Sequence, residues 1–161
     1  MPPDAGGILL MAILSDGLYF ECETRLRCRE SSIRSAEEKL GAARADAYRA
    51  KPPRMDGSGG GRGHEEGSDL ERKALRIHEA EEQLRLALAW DDVARRLYRM
   101  FPPDTREGQI ANCLYERGMT QEDVCRALHI SRLTVRRCRD KLAANCALLA
   151  VQAGILRLED D

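Results

Sequence analysis

The stretch TQEDVCRALHISRLTVRRCRDKL, residues 120–142, carries two short amphipathic helix patterns joined by a tight turn. Thr120 is a favourable N-cap, and two acidic residues follow in the first helical turn, where negative charge opposes the positive end of the helix dipole. Only residues 129–131 separate the two patterns, and Ser131 is a favourable N-cap for the second. The sequence therefore predicts two helices that cross steeply over a short turn.

Apolar side chains repeat at helical spacing in both patterns, so each predicted helix has one apolar face. We expect these two faces to pack against each other and hold the pair together. The predicted core consists of Val124, Cys125, Leu128, Ile130, Val135, Cys138 and Leu142.

Two residues depart from the usual composition of such a helix pair. Cys125 stands where alanine is common, but cysteine is small enough for a close helix contact. His129 stands where glycine is common, and a turn residue there often needs a positive φ, which His adopts less readily than Gly or Asn. An ordinary amphipathic hairpin with a solvated arginine face therefore stays open as an alternative.

Basic residues concentrate on the second predicted helix, with five basic residues and one acidic residue from 131 to 141. Three arginines fall opposite the apolar face, where a DNA-reading helix needs them. The planar guanidinium group can donate two hydrogen bonds to a guanine edge, worth about 1 to 3 kcal/mol of discrimination. The predicted DNA contacts are Arg132 and Arg136 to base edges, Arg137, Arg139 and Lys141 to phosphates, and Ser131 and Thr134 to either.

Composition favours long solvated helices around a modest core. Of the 161 residues, 43% are hydrophobic, only 4% are aromatic and 33% are charged, which argues against a large β-sheet enzyme. The formal net charge is −1, so any affinity for a polyanion must come from a local patch. We expect an all-α chain with a long antiparallel, coiled-coil-like helical hairpin followed by a small three-helix DNA-binding domain.

Six cysteines occur in the chain without a CxxC pair or a paired histidine spacing, which gives a zinc site little support. They are better explained as small core residues in a reducing cytoplasm, so we expect a cytoplasmic protein with no metal and no cofactor. The six are Cys22, Cys28, Cys113, Cys125, Cys138 and Cys146.

The first segment, residues 1–15, contains a short apolar run without a basic segment before it. The run is too short to cross a bilayer, so neither export nor membrane contact is expected. We expect this segment to be disordered, or to lie outside the true product if translation starts at Met11.

Residues 16–101 have the pattern of a helical hairpin. An apolar stripe with a period of seven residues predicts one helix from about Asp16 to Ala50, broken only at Arg29. The glycine-rich segment 51–68 then forbids regular structure. Ser68 would cap a second helix through about Phe101, and a matching stripe on this helix predicts that it pairs with the first.

Residues 102–154 are predicted to form the separate DNA-binding domain. Two prolines end the hairpin, and Asp104 or Thr105 can cap a bracing helix that ends at Arg117 with Gly118 as its C-cap. The DNA-reading helix continues past Leu142 toward Gly154. Residues 155–161 form an acidic tail.

No enzyme chemistry is predicted. The paired carboxylates at 81–82 and at 91–92 are adjacent in sequence and splay apart on a helix, so neither pair converges on a substrate. The glycine-rich segment lacks the GK[ST] of a phosphate loop.

Residues 105–142, with a bracing helix, Gly118 and then MTQEDVCRALHISRLTVRRCRDKL, resemble the helix-turn-helix of sigma-factor region 4. Taken with the preceding helices and RAKPPRMDGSGGGRG, residues 16–150 resemble small phage and prophage proteins of Gram-positive bacteria, which include the RinA-like and ArpU-like transcription regulators and uncharacterised relatives. The resemblance implies sequence-specific control of phage genes. Carried over, it makes Ser131, Arg132, Thr134, Arg136 and Arg137 the DNA-facing positions.

Three hypotheses about function therefore stand side by side. The first is a non-catalytic transcription regulator that binds double-stranded DNA. The second is a DNA-packaging subunit similar to small terminases, which combine a helix-turn-helix with long helices and form rings. The third is a protein-interaction module that docks on host RNA polymerase. A homodimer is expected as well, because one helix-turn-helix with so small a charge excess would bind DNA weakly at physiological salt.

Overall fold

The computed structural model describes residues 15–49 and 63–157, and the side chains of residues 63–67 are not described. All regular structure in this part of the chain is helical, which confirms the all-α class. The α-helices are α1 (Asp16–Arg27), α2 (Arg29–Tyr48), α3 (Gly63–Met100), α4 (Arg106–Ala111), α5 (Gln121–Leu128) and α6 (Arg132–Gln152), with a π-helical turn at Asn112–Glu116.

Three predicted segments lie wholly or mostly outside the described residues. They are the N-terminal segment 1–15, most of the glycine-rich segment 51–68 and the end of the acidic tail 155–161. Among the helices that are described, none is both long enough and apolar enough to cross a membrane.

The single helix predicted from Asp16 to Ala50 is instead two helices, which meet at Cys28. This residue leaves the helical conformation, with φ −99° and ψ 16°, while its N–H still bonds to the carbonyl of Thr24. The break coincides with the one position where the apolar stripe carries Arg29, and a guanidinium group there cannot continue an apolar helix contact.

The second long helix begins earlier than predicted. Ser68 was expected to cap it, but α3 starts at Gly63, and Ser68 lies inside the helix, where its carbonyl accepts a hydrogen bond from Arg72 Nε at 3.2 Å. An N-cap side chain stabilises a helix end by only about 1 kcal/mol. The backbone hydrogen bonds of one more helical turn can outweigh that preference.

One compact unit contains residues 15–29 and 89–157. The predicted domain boundary at residue 102 therefore falls inside a single packed core, because α1 and the end of α3 supply part of it. Trp90, the single tryptophan of the sequence, is a core residue at 4% exposure. The core includes Cys22, Leu26, Trp90, Val93, Ala94, Leu97, Ile110, Ala111, Leu114, Tyr115, Cys146 and Ala147.

The bracing helix begins where the sequence predicted. The Thr105 hydroxyl caps α4 by accepting a hydrogen bond from Gly108 N at 3.1 Å. A side chain at Gly108 would collide with the Pro102 carbonyl, since a Cβ there would lie 2.1 Å from that oxygen, so glycine is required for this close approach. The helix continues as the π-helical turn and ends before Gly118, whose φ of +62° agrees with the predicted C-cap.

The other compact unit lies within residues 30–88. Its buried residues are small or aliphatic, namely Ala36, Leu40, Ala80 and Ala87. Exposed ion pairs join α2 to α3, with 3.1 Å between Arg44 and Glu81 and 3.7 Å between Asp46 and Arg76. Such exposed pairs contribute little stability, so apolar contact dominates here.

Candidate nucleic-acid interface

Both α5 and α6 begin directly after a residue whose side chain caps the helix. The Thr120 hydroxyl accepts a hydrogen bond from Asp123 N at 3.2 Å at the start of α5. The Ser131 hydroxyl accepts one from Thr134 N at 3.1 Å at the start of α6. Both caps are the ones that the sequence predicted, and they fix where each helix begins.

The turn itself depends on a strained residue. His129 ends α5 in the left-handed conformation, with φ 53° and ψ 45°, and it is the sole non-glycine residue with positive φ among those described. This is the conformation that we expected the turn to need. For a residue with a Cβ the left-handed region costs roughly 1 to 2 kcal/mol, so the surrounding contacts must hold His129 in place.

Replacing His129 by glycine is expected to stabilise the protein by about 0.5 to 1 kcal/mol, because glycine adopts a positive φ without steric cost. The gain is smaller than the full strain, because glycine also increases the entropy of the unfolded chain. Chemical denaturation of both proteins would measure it. His129→Val is the matched control and should be destabilising, and a destabilised glycine variant would contradict the role assigned to this turn.

The apolar faces of α5 and α6 meet as the sequence predicted. Val124, Val135 and Leu142 are fully buried, and Cys138 is 8% exposed. The three remaining predicted core residues, Cys125, Leu128 and Ile130, are partly buried against the same core. With this face of α6 buried, the first half of the helix must turn its opposite face outward.

Arg139 has partners within the protein that the sequence did not predict. Its guanidinium group forms two hydrogen bonds to the Glu23 carboxylate on α1, at 2.8 Å and 2.6 Å, and only 22% of its side chain is exposed. It also donates to Gln121 Oε1 at 3.2 Å. A side chain held in this way is engaged inside the protein, and we therefore remove Arg139 from the predicted phosphate contacts.

Tyr115 and Arg139, which both contact Glu23, keep their ordinary protonation states at neutral pH. The Tyr115 hydroxyl donates a hydrogen bond to Glu23 Oε1 at 3.2 Å. Burial, together with the negative charge of Glu23, raises the pKa of Tyr115, so its hydroxyl remains a donor. The hydrogen bonds from Arg139 to Glu23 raise the pKa of Arg139, which stays positively charged.

The sequence offered a weak signal for this contact. Arg139 follows Val135 by one helical turn, which places it at the edge of the buried face rather than opposite to it. Its partner Glu23, however, lies 116 residues away along the chain. No local pattern could have identified that partner.

Lys141 is also engaged within the protein. Its ammonium group lies 3.1 Å from Glu107 Oε1 on α4 and 5.4 Å from the centre of the Phe101 ring. Hydrogen bonding to its own backbone and to Lys141 lowers the pKa of Glu107, which keeps this carboxylate ionised. The side chain of Lys141 is 40% exposed, so its predicted phosphate contact would compete with this ion pair.

Arg132, Arg136 and Arg137 remain on the outward face of α6, and all three are exposed. Arg132 forms an ion pair with Glu122 on α5, and its side chain is still 74% exposed. Arg136 and Arg137 have no ion-pair partner among the residues that the structure describes. Two adjacent positive charges are therefore free to meet an anion.

One exposed residue on the same face had no role assigned from the sequence. Leu133 is 55% exposed in the first turn of α6, between Arg132 and Thr134. Its position in the sequence could have identified it, because a leucine on a basic helix face belongs neither to the core nor to the charged surface.

Over the described ranges 15–49 and 63–157, no group of three histidine, cysteine or acidic residues is placed so that it could hold a metal ion. No protein-family model matches the chain, and no curated protein and no solved structure matches it either. Any function assigned to the chain therefore has to come from its own residues.

Proposed function

We propose that this chain is a sequence-specific, non-catalytic DNA-binding regulator of transcription, of the type that its resemblance to small phage and prophage regulators implies. The observation that carries the proposal is the pair Arg136 and Arg137, which are exposed and have no ion-pair partner within the described ranges, on a helix whose opposite face is buried. An α-helix fits the major groove of B-form DNA, and arginine is the side chain best suited to a guanine edge.

In this proposal α5 and α6 form a helix-turn-helix, and the first two turns of α6 enter the major groove. Arg136 approaches base edges, and Arg137 faces a phosphate on one side. Arg132 exchanges its ion pair with Glu122 for a DNA contact, which is feasible because both side chains are more than half exposed. The caps at Thr120 and Ser131 support this geometry because they set where each helix starts.

The contacts that hold α6 in place within the protein also support this proposal. A reading helix must be held rigidly, because base recognition depends on precise hydrogen-bond geometry. The Glu23–Arg139 pair joins α6 to α1, and Gln121 Nε2 donates to the carbonyl of Arg132 at 3.2 Å, which joins the start of α5 to the start of α6. These contacts limit rotation of α6 about its axis.

We further propose that α2 and α3 form the antiparallel hairpin predicted from the sequence. Asp46 contacts Arg76, whereas Lys39, seven residues earlier, approaches Gln83 at 3.5 Å, so residues advance along one helix as they recede along the other. Such a hairpin would serve as the interaction arm, either for a second copy of the chain or for host RNA polymerase.

Selection of bound sequences from random duplex DNA at moderate salt tests the proposed function. The wild-type chain should recover a defined motif, whereas Arg136→Ala should recover a motif that is relaxed at one position, because a bidentate contact to one base pair is lost. A palindromic motif would indicate a dimer that reads two half-sites. If the wild-type chain enriches no sequence, the proposal fails.

A further inference from the structure

Leu133 occupies the centre of the outward face of α6. At 3.6 residues per turn it lies about 180° around the helix from Leu142, which is fully buried. Arg136 and Arg137 follow it by three and four residues, so they flank it on the next turn. The side chain that projects most directly away from the core is thus a leucine between two arginines.

Single exposed leucines are common and need no explanation by themselves. The position of Leu133 between two arginines is what requires an explanation. A surface that bound only phosphates would gain nothing from an apolar group at its centre. Base pairs in the major groove present one apolar group, the C5-methyl of thymine, and phosphates lie on both sides of it. An apolar side chain flanked by two positive charges matches that arrangement.

We infer that Leu133 reads the C5-methyl group of a thymine in the target sequence, while Arg136 and Arg137 bind the neighbouring base edge and phosphate. This inference rests on the proposed DNA-binding function and adds a specificity-determining residue to it. Leu133 selects thymine over cytosine at one position, because cytosine carries no methyl group there. The predicted DNA contacts taken from the sequence contain no residue with this role.

Substitution of deoxyuridine for each thymine in the selected motif, one at a time, tests the inference, since this change removes the methyl group alone. At one position the wild-type chain should lose about three- to fivefold in affinity, which corresponds to burial of one methyl group. The Leu133→Ala variant should bind the thymine and the uracil forms of that position equally well. Fluorescence anisotropy titrations would measure both.

Two control variants keep the result interpretable. Leu148→Ala removes a 36% exposed leucine near the other end of α6 and should retain the full uracil effect. Leu133→Met keeps an apolar side chain and should retain most of it. Circular dichroism melting would verify that each variant folds, which we expect because both leucines lie at the surface.

The outcomes separate this inference from the proposed function. Failure to recover any motif would overturn the function itself. A motif without thymine, a motif whose thymines all tolerate uracil, or an Ala variant that keeps the full uracil effect would overturn the role of Leu133 and leave the regulator standing. The library is unmethylated, because 5-methylcytosine carries the same methyl group as thymine. A separate titration with 5-methylcytosine at that position tests whether the methyl group or the rest of thymine is recognised.

Discussion

Glu23→Ala is expected to lower the free energy of unfolding by about 3 kcal/mol, because removal of one partner from a buried ion pair leaves the other charge uncompensated. Glu23 is 8% exposed, and it accepts hydrogen bonds from both Arg139 and Tyr115. In a chain of this length the loss corresponds to a fall of about 6 to 12 °C in melting temperature. Chemical denaturation and thermal melting would measure it.

Glu21→Ala is the matched control for this prediction. Glu21 lies on the same helix and also pairs with an arginine, Arg25 at 3.6 Å, but its side chain is 43% exposed. An exposed pair four residues apart on a helix contributes only about 0.3 to 0.5 kcal/mol. Equal effects of the two substitutions would show that the Glu23–Arg139 pair does not join α1 to α6 in the way described.

The features predicted correctly from the sequence are those that local chemistry decides. The caps Thr105, Thr120 and Ser131 each depend on one hydroxyl and a backbone N–H three residues later, so a short window of sequence contains the whole interaction. The left-handed conformation of His129 follows in the same way from the shortness of its turn. Periodicity likewise identified Val124, Val135, Cys138 and Leu142, which are buried, but it missed the buried alanines farther along α6, namely Ala143, Ala144, Ala147 and Ala150.

The contacts that the sequence did not predict involve partners far away along the chain. A helical wheel places Arg139 near the basic face, but Glu23 draws it into the core from 116 residues away. Arg29, which interrupts the apolar stripe, lies 3.0 Å from Glu116 and 3.5 Å from Asp91. Local sequence patterns cannot identify these ion pairs, because each acidic residue could pair with any of several basic residues in the chain.

The division of the chain follows from the same cause. The stripe of residues 16–50 was interrupted only at Arg29 and predicted one helix, yet Cys22 and Leu26 belong to the core that holds α6, whereas Ala36 and Leu40 belong to the other unit. A heptad pattern shows that a face is buried without showing what covers it. The helix α1 therefore becomes part of the proposed DNA-binding unit, which the sequence had assigned to residues 102–154 alone.

The candidate DNA interface on α6 has fewer available basic residues than the sequence predicted. Of the five basic residues predicted to touch DNA, Arg139 is held by Glu23 and Lys141 by Glu107, so the charge available on α6 is less than the sequence suggested. Weak binding by one copy is then expected, since each phosphate contact contributes through the release of counterions. Specificity must rest on the few side chains that remain exposed at the start of α6.

The double substitution Arg136→Ala and Arg137→Ala is expected to weaken binding to the selected motif by about 100-fold, because Arg136 contributes about 1 to 3 kcal/mol through a base contact and Arg137 adds a phosphate contact. Both residues are exposed, so the folded state should be unaffected. If Arg137 binds a phosphate, the slope of log affinity against log salt should also fall by about 1. Titrations at several salt concentrations would measure both quantities.

A control of equal charge separates recognition from simple electrostatics. Arg76→Ala with Arg85→Ala also removes two exposed positive charges, but from the unit within residues 30–88, where each arginine pairs with an acidic residue. A loss that depended only on net charge would appear equally in both double variants, which would contradict the interface proposed on α6. A large loss confined to Arg136 and Arg137, with a smaller salt slope, follows only if α6 itself meets the DNA.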